Sequence, residues 1–154
     1  MKLLVVCFGN TCRSPMLMTL VRDELRRRGI TNIDVESAGT DASCGAPASR
    51  EAAAAMTRCG LDLQAHSSRD LRDVDLASFD HVYAMTSRQA DCLRSLGVPA
   101  TKLTVVNAAN GGVPDPAGGG MEDYEACARM LKTAAREIVD ELADHSQPST
   151  RPSS

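Results

Sequence analysis

The stretch Cys7-Phe8-Gly9-Asn10-Thr11-Cys12-Arg13-Ser14-Pro15 limits the fold of this chain more than any other. It follows the apolar run Leu3-Leu4-Val5-Val6 and opens into Met16-Leu17-Met18-Thr19-Leu20-Val21, so the order is strand, tight loop, helix. A loop in that place can turn its backbone N–H groups inward as a nest. The helix behind it adds unpaired amides and the positive end of its dipole at the same point. The expected ligand is therefore an anion. Ser14 and Pro15 suit the N-cap and the first helical position, which sets where the helix begins.

Cys7 ends the strand and faces that nest, a setting that favours the thiolate and makes a nucleophile. Arg13 returns to the mouth of the loop, where its planar fork can hold two oxygens of a phosphoryl group. The competing reading is a structural cysteine beside a glycine turn, with Arg13 on the surface. The full string in its strand–helix setting speaks against it.

Further strands are expected over 33–37, 79–85 and 102–106, and helices over 15–28, 48–59, 87–96 and 121–143. This alternation predicts an α/β fold: a single-domain three-layer sandwich, its four-stranded parallel sheet carrying helices on both faces. Ligand sites in such sheets lie at the C-terminal ends of the strands, where Cys7 stands. A chain of 154 residues suits one domain with a proper core, and no repeat or linker interrupts it. The domain is expected to span 1–143, with 144–154, polar and rich in Ser and Pro, as a disordered tail.

A formal net charge of -3 without a long basic block argues against a nucleic-acid partner. Arg26-Arg27-Arg28 reads as a solvated helix end that complements the dipole. No apolar run approaches a membrane span. Six cysteines, spread through helical and strand patterns with no signal peptide in front, point to a reducing cytoplasm rather than to disulfides.

The loop resembles the active-site loop of the low-molecular-weight protein tyrosine phosphatases. It matches Cys-x-Gly-Asn-x-Cys-Arg-Ser-Pro at every fixed position, and the resemblance covers residues 1 to about 143. It implies a phosphoprotein phosphatase with a phosphocysteine intermediate, needing no metal and no cofactor. Cys7 would attack phosphorus while Arg13 and the loop 8–12 (Phe8, Gly9, Asn10, Thr11, Cys12) hold the phosphoryl oxygens. Asp115 would protonate the leaving group and then activate water. Prolines on either side of Asp115, in Val113-Pro114-Asp115-Pro116, restrict its backbone. By the same resemblance Asn10 keeps the loop in its strained shape and Ser14 donates to the thiolate. Ser37, in Ser37-Ala38-Gly39-Thr40, helps hold the loop, and His66 supports the loop asparagine from behind. The expected partners are phosphorylated proteins. The oligomeric state is left open, a monomer being favoured.

Two departures bear on substrate. Tyrosine-specific relatives place a large aromatic where this chain has Ala42-Ser43-Cys44-Gly45, and follow Asp-Pro with aromatics where it has Ala117-Gly118-Gly119. Bacterial protein-arginine phosphatases resemble the chain at Thr11 and in Asp-Pro-x-Gly-Gly, although they keep an aromatic at the position of Ala117. Phe8 and Tyr124 are the candidates to replace that wall. Phosphoarginine is slightly favoured over phosphotyrosine, since a guanidinium suits the Thr11 hydroxyl and the Asp115 carboxylate. An arsenate reductase would need resolving cysteines close together near the site, and Cys92 and Cys127 stand singly. A non-catalytic phosphate-binding module would not need both a thiol and a fixed acid. Cys12, on the same curled loop as Cys7, is a candidate to capture it in a protective disulfide after oxidation.

Overall fold

In the computed structural model, which describes residues 1–146, four strands form one parallel sheet. They are β1 (Lys2–Cys7), β2 (Asp34–Gly39), β3 (His81–Ala84) and β4 (Leu103–Val105), ordered β2-β1-β3-β4. The helices are α1 (Arg13–Arg27), α2 (Arg50–Arg58), α3 (Ser87–Ser95) and α4 (Met121–Ser146).

β1 is central and covered on both faces, which is why its sequence is a continuous apolar run rather than an alternation. Its side chains still alternate in direction. Leu3, Val5 and Cys7 enter a core built with Met16, Leu17 and Val21 of α1, Met56 of α2, and Leu131 and Val139 of α4. Leu4 and Val6 enter a second core with Ala90 and Leu93 of α3. The predicted three layers are present, and Cys7 leaves the sheet on the side of α1 and α4.

Several boundaries differ from expectation. β2 continues beyond its expected end at 37 through Gly39, which pairs with Cys7, and the chain turns only at Thr40. Gly39 has no room for a side chain: a Cβ there would stand 2.5 Å from the Phe8 carbonyl oxygen and 3.0 Å from the Asn10 nitrogen. α1 starts at Arg13 with Cys12 as N-cap, and no side chain caps it. Ser14 is therefore inside the helix, its hydroxyl engaged elsewhere. Pro15 fits within the first turn because those N–H groups have no intrahelical acceptor. β3 is shorter than predicted, since Asp80 instead takes the Lys2 amide on its carboxylate at 2.8 Å. β4, at the sheet edge, has only three residues. α2 begins where Ser49 accepts the Ala52 amide, 3.2 Å away. α4 runs to Ser146, beyond the expected end at 143, and 147–154 of the predicted tail lie outside the described residues. Among the described residues no helix is long and apolar enough to cross a membrane.

Candidate active site

The anion loop joins β1 to α1 and is organised by Asn10, which is fully buried and holds a left-handed φ of 56°. Asparagine tolerates that region better than other side chains, and here it is fastened at every polar atom. Its amide Nδ2 donates to Ser14 Oγ at 2.8 Å and to Ser37 Oγ at 2.9 Å. Its Oδ1 accepts the Arg69 backbone N–H at 2.9 Å, and its carbonyl accepts from His66 Nε2 at 2.7 Å. Its own N–H points to Cys7 Sγ at 3.3 Å.

Ser14 Oγ lies 3.0 Å from Cys7 Sγ. Because Ser14 already accepts from Asn10, its proton is free to turn to the sulfur; the alternative acceptor, the Ala38 carbonyl, is at 3.5 Å. The thiol thus faces two donors. The backbone N–H groups of Gly9, Thr11 and Cys12 have no acceptor among the described residues, which leaves them for an anion held over Cys7. His66 needs its Nε2 proton to reach the Asn10 carbonyl. Burial lowers its affinity for a second proton, Arg22 adds to that, and the bond to Asn10 opposes it.

Arg13 is only 4% exposed, so its charge requires partners. One nitrogen donates to the Val113 carbonyl at 2.9 Å, and the other lies 3.6 Å from the Asp115 carboxylate. Arg13 therefore ties the anion loop to the loop 113–120 that carries Asp115. The Asp115 side chain is 48% exposed, and its Oδ1 accepts the Ala117 N–H at 3.0 Å, a short turn that fixes the carboxylate. The glycines that follow have separate reasons. Gly118 has a φ of +84°, and a Cβ on Gly119 would collide with the Asp123 carboxylate. Asp123 accepts the Gly120 N–H at 3.1 Å at the start of α4.

The structure brings Cys7, Asn10, Arg13, Ser14, Ser37, His66 and Asp115 together. Thr11 is half-buried at the loop's turn, and Phe8 is 51% exposed. Tyr124 is not available as a wall. It is buried, with its hydroxyl 3.8 Å from Cys12 Sγ, and burial together with its bond to Cys12 pushes it up to about 12. Cys12 faces Ser49 Oγ at 3.2 Å, whereas Cys7 faces Ser14 and Asn10, and both thiols are free.

Sequence reading missed Arg69 and Val113, which act through backbone atoms and leave no side-chain signature. It also missed Cys127, a buried thiol that lines an apolar groove of about 410 Å³ beside Asp115. Burial pushes that thiol up to about 12.

A family model for low molecular weight phosphotyrosine protein phosphatase matches residues 2–148. The chain is 34% identical over 151 residues to a protein-arginine-phosphatase of Geobacillus stearothermophilus, covering 95% of this chain and 96% of that one. It is 29% identical over 153 residues to the low molecular weight protein-tyrosine-phosphatase YfkJ of Bacillus subtilis (strain 168), covering 94% and 97%. Among solved structures, a mutant of YwlE arginine phosphatase with a phosphorylated active site serine superposes with a TM-score of 0.87 at 31% identity, covering 95% and 98%. With the anion loop, the buried arginine and the Asp-Pro loop assembled on this sheet, the chain belongs to the low molecular weight phosphotyrosine protein phosphatase family and is a protein phosphatase.

Proposed function

We propose that the protein removes phosphate from arginine side chains of phosphorylated proteins in preference to tyrosine, through a phosphocysteine on Cys7. Cys7 attacks phosphorus in line, forming an S–P bond as the P–N bond to the guanidine breaks, and Asp115 gives its proton to the departing nitrogen. Arg13 and the loop amides hold the equatorial oxygens. Water then attacks phosphorus with Asp115 taking its proton, the S–P bond breaks, and the Ser14 hydroxyl stabilises the returning thiolate.

The preference rests on the mouth of the site. Of the two Phe and two Tyr in the chain, Phe79, Tyr83 and Tyr124 are buried, and Phe8 alone is exposed. A phenyl ring would find one aromatic face and no partner for it across the pocket. A guanidinium meets instead a threonine hydroxyl and a half-exposed carboxylate, groups that accept its N–H donors. The relatives named as protein-arginine-phosphatases support the same choice. All six cysteines are free, which supports a reducing, cytoplasmic setting for such substrates.

The test compares kcat/KM on one protein carrying phosphoarginine and on another carrying phosphotyrosine. Phosphoarginine should be the better substrate, and Thr11→Ile should lower its turnover more than that of phosphotyrosine. A higher value on phosphotyrosine, unchanged in rank by Thr11→Ile, would assign the protein to tyrosine.

A further inference from the structure

A cavity of about 370 Å³ opens between α1, β2 and the segment 62–69, and neither Cys7, Arg13 nor Asp115 lines it. Its wall contains Ser37, His66 and Arg69. These three residues hold Asn10 by its side-chain amide, its carbonyl and its side-chain oxygen respectively. The remaining tie of the Asn10 side chain goes to Ser14, which touches the nucleophile. The cavity is thus separated from the anion loop by the hydrogen-bond shell that keeps Asn10 at its positive φ.

Two arginines, Arg22 and Arg69, are also among the residues that line this cavity. Arg22 donates Nε and Nη2 to the Val35 carbonyl, so its Nη1 is unspent among the described residues. Arg69 gives Nη2 to Glu36 at 3.2 Å, leaving Nε and Nη1. Glu36 is itself shared, its other oxygen lying 3.5 Å from Lys2 Nζ. The other carboxylate of the wall, Asp62, accepts the Gln64 amide at 2.8 Å. The unspent donors are therefore guanidinium N–H groups, on one nitrogen of Arg22 and two of Arg69, and as charged donors they suit the oxygens of a phosphate group. The volume exceeds that of inorganic phosphate and leaves room for a small organic group.

We propose that this cavity is a regulatory site for a small phosphate-bearing anion, which acts on Cys7 by loosening the hold of Arg69 and His66 on Asn10. An anion drawing on the Arg69 guanidinium pulls on the residue whose backbone N–H fastens Asn10 Oδ1. Slack at Asn10 reaches Cys7 through two contacts, its own N–H and the Ser14 hydroxyl. The effect on turnover rests on the phosphocysteine reading, whereas binding in the cavity does not.

The experiment is product inhibition by inorganic phosphate. In a phosphocysteine cycle phosphate leaves last, so binding at the catalytic loop alone raises apparent KM and leaves kcat unchanged. Occupation of the second cavity should also lower kcat, by about fivefold at saturation. Arg69→Gln should restore purely competitive inhibition. A nucleoside phosphonate that resists hydrolysis provides the parallel arm. A kcat effect at lower concentration from the phosphonate would identify a phosphorylated metabolite as the ligand, and from phosphate the free ion. As a reading that needs no variant, the amide resonances of Thr19, Ala65 and Ser67 in wild-type protein should follow a saturation curve distinct from that of Gly9 and Thr11. Competitive inhibition by both probes, with all five amides on one curve, would overturn the proposal. Absence of turnover on every phosphorylated protein would instead count against the phosphatase reading, while the amide titration would still report binding in the cavity.

Discussion

The anion loop and the acid loop meet at Arg13 but are held in opposite ways. In the first, Asn10 and Ser14 are completely buried and the bonds converge from β2, α1 and the segment that follows α2. In the second, from 113 to 120, only Val113 and Pro116 are buried. Asp115 is set by one turn and one long ion pair. A cradle that must receive three phosphoryl oxygens gains from rigidity, because its donors then cost little reorganisation when charge develops. In the proposed reaction Asp115 must reach leaving groups on protein substrates, and it gains from standing at an open rim. Damage to the first region should therefore appear in stability as well as rate, and damage to the second in rate alone.

Asn10→Ala breaks the comparison on its rigid side. It removes three side-chain hydrogen bonds and places alanine at a positive φ, so stability should fall by about 2–4 kcal/mol and activity should collapse with it. Urea denaturation gives the first quantity. Retention of full stability would mean that the loop shape is set by the surrounding sheet and not by Asn10.

Asp115→Asn acts on the open side. Hydrolysis of substrates with poor leaving groups should slow by about 10²-fold, while aryl phosphates that need little protonation slow far less, and the denaturation midpoint should stay in place. Equal slowing of both classes would reduce Asp115 to a positioning residue.

Gly119→Ala sharpens the same contrast without touching a catalytic group. Its new Cβ displaces Asp123 and with it the anchor of the acid loop, so turnover should drop by about tenfold with little change in stability. Asp123→Ala, which removes the same anchor without a new Cβ, should reproduce the loss, and full activity in that variant would show that Asp123 does not hold the loop.

The smallest effect expected is on pH dependence. His66 stands beside the anion loop with its proton affinity lowered from the ordinary 6.5, chiefly by burial. Below 6.5 the unfolded chain takes up a proton that the folded one resists, so stability should decline as pH falls through that range, and His66→Gln should flatten the slope. Asp70, which fastens the Ala42 amide, is pulled from 3.8 to about 2 by its hydrogen bonds from Arg72. A second loss should therefore run from 3.8 down to about 2, and it should vanish in Asp70→Asn.

The same contrast explains what could be read from the sequence. Strand, nest and helix lie contiguously in residues 3–21, so the local pattern carried both the fold and the placement of Cys7 and Arg13. Asp115 was legible because prolines flank it. The start of α1 was misplaced because a serine before a proline is an ordinary cap signal, and here the thiol and Asn10 compete for its hydroxyl. Arg69 and Val113 contribute a backbone N–H and a carbonyl, groups that every residue has, so only the tertiary structure selects them. Cys127 looked isolated by spacing, since proximity between α4 and the acid loop is a matter of packing. Tyr124 looked like a candidate wall because composition does not tell a buried ring from an exposed one.

The central claim is that phosphate passes through Cys7. Rapid quenching of the enzyme with a phosphorylated protein substrate, followed by peptide mass spectrometry, reads that step directly. A transient phosphate adduct is expected on the peptide containing Cys7, formed within the first turnover, prolonged in Asp115→Asn and absent in Cys7→Ala. Steady turnover with no phosphate on Cys7 at any quench time would contradict it.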